Sequence, residues 1–220
     1  MTIFQRHKIK KLEKKYLRLC TNYNSKRYIL FLPSVQPEAS SLPLAGFFHD
    51  FNLILDMLIK HLPNNWHILY KEHPLTFSLI KESHLFKNDN YYELLKNNKI
   101  QFIDHRLDTY KFITKSQCIA TSTGSAGLEA SLKGKPVLNF GLAWWSNFNN
   151  IFKIQSDTDL KSAINCIVNK KFKFNSKNLT KNILDTYKKT VEFEFYNENS
   201  FEKYNIKKSK NKVDFRYIEN

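Results

Sequence analysis

Residues 117–140 read QCIATSTGSAGLEASLKGKPVLNF. Gln117–Thr121 is a short apolar run of strand type. It gives way to a turn rich in hydroxyls and glycine, Thr121-Ser122-Thr123-Gly124. Ser125–Leu132 then reads as a helix stopped by Gly134, and Pro136–Phe140 is apolar again. A strand, a helical crossover and a second strand in so short a span make a βαβ unit, which obliges the two strands to run parallel.

Working outward, the same alternation recurs. Tyr28–Leu32 (YILFL) is a buried-type strand ended by Pro33, Trp66–Tyr70 (WHILY) is a second, and Ile100–Ile103 a third, with Ile151–Ile154 a sixth after the two in the quoted stretch. Helices are expected over Phe48–Leu62, with Asn52 and Asp56 on the outer face, over Tyr91–Leu95, Asp108–Thr114, Asp157–Val168 (capped by Ser156) and Asn178–Glu194. All five Gly and all six Pro fall between residues 33 and 141, so the sharp turns are confined to the middle of the chain. The fold class predicted is α/β: a Rossmann-like parallel sheet flanked by helices. The expected organisation is a basic amphipathic helix and linker over 1–27, the Rossmann-like domain over 28–170, a C-terminal helix over 171–195 and a polar basic tail over 196–220, which carries Lys207-Lys208-Ser209-Lys210.

The 220 residues carry 35 Lys+Arg against 20 Asp+Glu, a net charge of +15. Such a balance points first to nucleic acid. Only five of the basic residues are Arg, at positions 6, 18, 27, 106 and 216, whereas base and phosphate readers favour the bidentate guanidinium. No specific nucleic-acid partner is expected. The charge sits on the Gly- and Pro-free flanks, which suits an anionic membrane surface; a compositional bias toward Lys and Asn accounts for it equally. Three widely spaced cysteines, Cys20, Cys118 and Cys166, offer neither a disulfide framework nor a zinc site. The six His outside residue 73 show no ligand spacing, so no metal is expected. The basic first 20 residues lack a signal peptide's apolar stretch, and no run approaches the ~18 apolar residues of a membrane span. The expected location is cytoplasmic, with the inner face of a bacterial inner membrane as a peripheral site.

In doubly wound sheets, ligands bind beyond the carboxyl ends of the strands. Three polar turns lie there. Thr121–Gly127 opens a helix whose backbone N–H groups attract phosphate, with Ser122, Thr123 and Ser125 adding hydroxyl donors; it is neither a Walker A loop nor GxGxxG, and an ordinary capped turn would look the same. Lys71-Glu72-His73-Pro74 follows the second strand. Pro74 restricts His73 to extended backbone, and the imidazole serves either a phosphate, a base or a strand end. Ser34–Ser40 follows the first strand; Glu38 there is a general base, an acceptor for sugar hydroxyls, or a loop acid capping the next helix. Their convergence on one sheet edge suggests a nucleotide or nucleotide-sugar site.

The order FLPSVQPEAS (31–40), WHILYKEHP (66–74), ATSTGSAGLEASLKGKPVLNFG (120–141) and then Trp144-Trp145 resembles the capsule polysaccharide biosynthesis proteins over residues 28–165. These are bacterial surface-glycan glycosyltransferases of the GT-B class, and they include the Kdo transferases of capsule assembly. The resemblance implies that Lys71, Glu72, His73 and Pro74 meet the cytidine nucleotide of a CMP-activated sugar, and that Ser122, Thr123, Gly124 and Ser125 hold its phosphate, with Lys71 offsetting charge. It implies Glu129 facing the site or the ribose, Gln36, Trp144 and Trp145 on loops near the donor, and Glu38 as the candidate base. The donor would need no metal. The family's enzymes pair two Rossmann-like domains, so this chain corresponds to the C-terminal, donor-binding half, with a glycan or glycolipid acceptor and a separate N-terminal half as partners. A split gene or a truncated product would give the same length. The alternatives are a UDP-sugar 2-epimerase-like enzyme, a non-catalytic membrane-surface assembly module, and a non-specific nucleic-acid binder.

Overall fold

A computed structural model describes residues 3–23, 27–78, 83–88 and 90–189. Six short strands form one parallel sheet: β1 (Tyr28–Phe31), β2 (His67–Lys71), β3 (Ile100–Ile103), β4 (Cys118–Thr121), β5 (Val137–Asn139) and β6 (Ile151–Lys153), in the order β3-β2-β1-β4-β5-β6. Ile29 stands opposite Ile68 on one side and Cys118 on the other. The helices are α1 (Ile3–Leu19), α2 (Phe51–His61), α3 (Tyr91–Leu94), α4 (Thr109–Lys115), α5 (Ser125–Leu132) and α6 (Asp157–Val168). All of these belong to one unit, residues 1–175; α7 (Ser176–Tyr187) belongs to a second, residues 176–220. The α/β Rossmann-like class is therefore as expected, and Ser156 does cap α6, accepting from the Asp159 N–H. The end of the expected last helix and the tail over 196–220 lie outside the described residues.

The strands are apolar on both faces, as a doubly covered parallel sheet requires. Ile29, Phe31, Ile68, Tyr70, Phe102 and Ala120 point into a core shared with Ile54, Leu55 and Leu58 of α2 and Leu160, Ala163 and Ile164 of α6. The alternate residues, among them Tyr28, Leu30, Leu69 and Ile119, are buried outside that cluster and so belong to the opposite face. There Tyr28 donates to the Phe112 carbonyl of α4, and α5 lies against β4 and β5.

Two expectations need correction. The basic helix at the N-terminus is not a linker. Ile9, Leu12 and Tyr16 of α1 are buried in the same core, and Tyr16 packs among Tyr92, Phe77 and Phe102 at centroid distances of 4.9, 5.4 and 6.0 Å. That packing consumes Ile9, Leu12 and Tyr16 of the apolar face that an interfacial helix would lay into lipid, leaving the basic outer face and the exposed Phe4. The second correction is to the helix expected over 48–62. A 3-10 turn over Gly46–His49 precedes α2, and Asp50 separates them because its carboxylate accepts from the Asn52 N–H at 3.0 Å as an N-cap. Strand β5 starts at Val137 rather than Pro136, since proline has no N–H for the ladder.

Candidate functional site

The chain steps outward from β1 to β2 to β3, then crosses back to β4 on the other side of β1. The strand order reverses between β1 and β4, and in open α/β sheets ligands bind beyond the carboxyl edge at such a point. Loops from both strands meet there. Ser34, after β1, shares a 2.8 Å hydrogen bond with Ser122, after β4, and lies 3.4 Å from the Thr123 hydroxyl. Thr121 Oγ1 donates to the Leu32 carbonyl at 2.8 Å, and Thr123 donates to the Ser40 carbonyl. Asn139, at the end of β5, donates to the Ser122 carbonyl and accepts from Ser146 Oγ at 2.8 Å. The turn is thus held by hydrogen bonds on both sides.

Helix α5 begins directly behind it. Gly124 is the N-cap residue and carries no side-chain cap, so the first N–H groups of the helix have no side chain closing them off. Those N–H groups and the positive end of the helix dipole suit an anion. Ser125 is exposed, Thr123 and Gly124 are half-buried, and Ser122 is buried. Gly127 is obligatory for packing: a Cβ there would stand 2.5 Å from Trp145 Cη2 and 3.0 Å from Thr121 Cγ2. Gly127→Ala is expected to cost about 1–3 kcal/mol through overpacking, a fall in Tm of roughly 3–10 °C for a unit of this size. An unchanged melting curve would show that Trp145 yields without cost.

His73 stands exposed on the neighbouring edge, after β2. It is the N-cap of the 3-10 turn Pro74–Phe77, and its Nδ1 accepts from the Leu75 N–H at 3.1 Å. An accepting Nδ1 puts the proton of the neutral ring on Nε2, which is then the donor available to a ligand. Partial burial holds the imidazole below its ordinary pKa, against the pull of the Glu72 and Glu38 carboxylates. Glu38 is half-buried within electrostatic reach of His73, and its Oε2 accepts from Ser40 at 3.2 Å.

Other expected site residues are placed differently. Glu72 is 0% exposed and Lys71 is 2% exposed. The Lys71 amine donates to the His105 carbonyl at 2.7 Å, and burial lowers its pKa, so it is engaged within the fold instead of beside a phosphate. The Glu72 carboxylate is saturated by internal donors, Lys87 Nζ at 2.5 Å among them. Neither side chain is free to touch a ligand. Gln36 is buried too, with Nε2 donating to the His49 carbonyl at 2.8 Å. Trp145 packs inside against Gly127, whereas Trp144 is 65% exposed with an edge-on contact to Phe148. Glu129 is exposed on α5. Ser34, part of a turn expected at this edge, joins it to Ser122. Two residues were not expected: Asn139 braces the turn, and Lys87 neutralises Glu72.

A family model described as capsule polysaccharide biosynthesis protein matches residues 23–150. No curated protein matches the chain. Among solved structures, the UDP-GlcNAc 2-epimerase from Methanocaldococcus jannaschii aligns at 15% identity and a TM-score of 0.51, covering 83% of this chain and 51% of that one. The beta Kdo 2,7 transferase KpsC of Thermosulfurimonas dismutans aligns at 17% identity and a TM-score of 0.44, covering 74% and 53%. The UDP-GlcNAc 2-epimerase from Neisseria meningitidis bound to UDP-GlcNAc aligns at 15% and 0.43, covering 82% and 48%. The chain spans about half the length of these structures, and the likeness is one of fold.

Proposed function

The chain belongs to the capsule polysaccharide biosynthesis protein family, and from that membership we propose that it is the donor-binding half of a glycosyltransferase. It would take a CMP-activated sugar, Kdo or a sialic-acid-like sugar, and pass the sugar to a capsule or lipopolysaccharide glycan. The observation that carries this reading is the Ser34–Ser122 bridge at the point of strand reversal, beside the uncapped start of α5, with the exposed His73, whose Nδ1 is already engaged, on the neighbouring loop. A phosphate set at that edge would receive helix N–H groups, the Ser125 hydroxyl and the His73 donor without a metal.

In an inverting transfer, an acceptor hydroxyl oxygen bonds to the anomeric carbon, the bond from that carbon to the phosphate oxygen breaks, and CMP leaves with the electron pair. The acceptor proton goes to a base. The residues of this chain would serve mainly the departing phosphate, by hydrogen bonds that strengthen as its charge grows. Glu38 would accept a hydrogen bond from a sugar hydroxyl at the same edge, and Trp144 would wall the donor. The second half of such an enzyme would bring the acceptor. The exposed basic face of α1, with Arg6, Lys10 and Lys14, would lie toward an anionic membrane where the glycan is built.

Thermal melts with nucleotides test the reading. A ligand at 100 times its Kd adds about 2.7 kcal/mol, which is roughly 5–10 °C for a unit of this size. CMP is expected to give that protection and UDP little. Stronger protection by UDP would turn the assignment toward an epimerase-like activity, and protection by neither would remove the donor-binding reading.

A further inference from the structure

The buried Glu72–Lys87 pair lies directly under His73, and it does more than fill the core. Glu72 Oε1 accepts from the His73 backbone N–H at 3.1 Å and from Thr76 Oγ1 at 3.0 Å. Its Oε2 accepts from Lys87 Nζ at 2.5 Å, Tyr92 Oη at 2.8 Å and Tyr70 Oη at 3.0 Å. The Glu72 backbone N–H donates at 3.0 Å to Tyr16 Oη, which itself donates to the Ile103 carbonyl at 2.6 Å. One carboxylate oxygen therefore holds both the residue that starts the 3-10 turn and a residue inside it, and the other oxygen is anchored to three side chains of the core. Pro74 fixes the backbone on the far side of His73.

We infer that Glu72, neutralised by Lys87, is the positioning residue of His73: it clamps the turn in which Nδ1 accepts from Leu75 and so directs Nε2–H outward to the ligand. This rests on the reading of His73 as a donor-site residue. A carboxylate surrounded by so many donors is the acceptor best able to fix two N–H and O–H vectors at once, and a neutral substitute offers fewer lone pairs.

The test uses the full chain carrying Glu72→Leu together with Lys87→Met, which removes both buried charges at once and leaves no unpaired ion. The imidazole 15N shifts of His73 are read by NMR, and CMP affinity by calorimetry. The expected result is a folded chain that melts below the unmodified one, because Tyr70, Tyr92 and Thr76 lose their acceptor, a shift of His73 from the single Nε2–H tautomer toward averaged values, and CMP affinity lower by about tenfold, equivalent to one lost hydrogen bond to a charged group. A purely structural pair would leave the tautomer and the affinity as they were, and that outcome overturns the proposal. Should the unmodified chain bind no CMP, the function reading fails while the tautomer readout still decides the role of Glu72. Should the double variant not fold, Thr76→Val removes one donor from Oε1 and is read by the same shifts; an unmoved His73 tautomer there overturns the proposal as well.

Discussion

Replacing His73 with alanine is expected to lower CMP affinity about 100-fold without unfolding the chain. The side chain is exposed, so its removal opens no cavity. A hydrogen bond to a charged group is worth about 1.5–3 kcal/mol, and each 1.4 kcal/mol is roughly tenfold in affinity. The upper end applies because Nδ1 is already engaged by the Leu75 N–H, so the donor is oriented before the ligand arrives. His73→Asn separates the two roles of the ring. Its amide oxygen caps the 3-10 turn, whereas its amide nitrogen falls short of the position of Nε2. Affinity in the Asn variant is expected to fall nearly as far as in the Ala variant. Calorimetry that finds CMP bound equally by all three proteins would take His73 out of the site.

Lys87→Met is expected to give the largest loss of stability. Both charges of the Lys87–Glu72 pair are 0% exposed. Breaking such a pair from one side costs about 3–5 kcal/mol, close to 10 °C in Tm for a unit of this size. The pH dependence carries the signature. In the unmodified chain, burial pushes the Glu72 carboxyl up, but the charge of Lys87 and the hydrogen bonds from Lys87, Tyr92 and Tyr70 outweigh it and hold the group below its ordinary value. A lowered native value means that the unfolded chain binds more protons at this residue. The stabilisation is then present above the unfolded carboxylate range and is lost as pH falls through the native value. Without Lys87, burial dominates and the carboxyl rises, so protonation relieves the variant. The gap in melting temperature between the two proteins should narrow from pH 7 toward pH 4. A constant gap would mean that removing Lys87 does not change the protonation of Glu72 over this range.

The fold was legible because its signals are local. Residues 117–140 carry strand, turn, helix and strand with Gly134 and Pro136 as stops, and Ser156 marks a helix start by its own hydroxyl. His73 and the turn from Ser122 to Ser125 stand out as candidates in the sequence because they directly follow strands. What failed were inferences that needed the strand order. Ser34 becomes a partner of Ser122 only once β1 and β4 are neighbours, and no residue near Ser34 announces that. Lys71 and Glu72 read in the sequence as charged ligand-binding residues beside His73. Their burial depends on α1 and on Lys87, which sits in the polar stretch Lys87-Asn88-Asp89-Asn90 and reads as an exposed loop. Helix α1 shows a basic amphipathic pattern that suits a lipid surface and a protein core alike. Only the tertiary contacts of Tyr16 decide between them.

The most direct test is to follow the backbone amides of the full chain by NMR during a CMP titration. Saturable shifts are expected on Ser122 to Ala126 and on His73, with α1 unmoved. Saturable shifts centred elsewhere, or none at millimolar CMP, would contradict a nucleotide site at the carboxyl edge between β1 and β4.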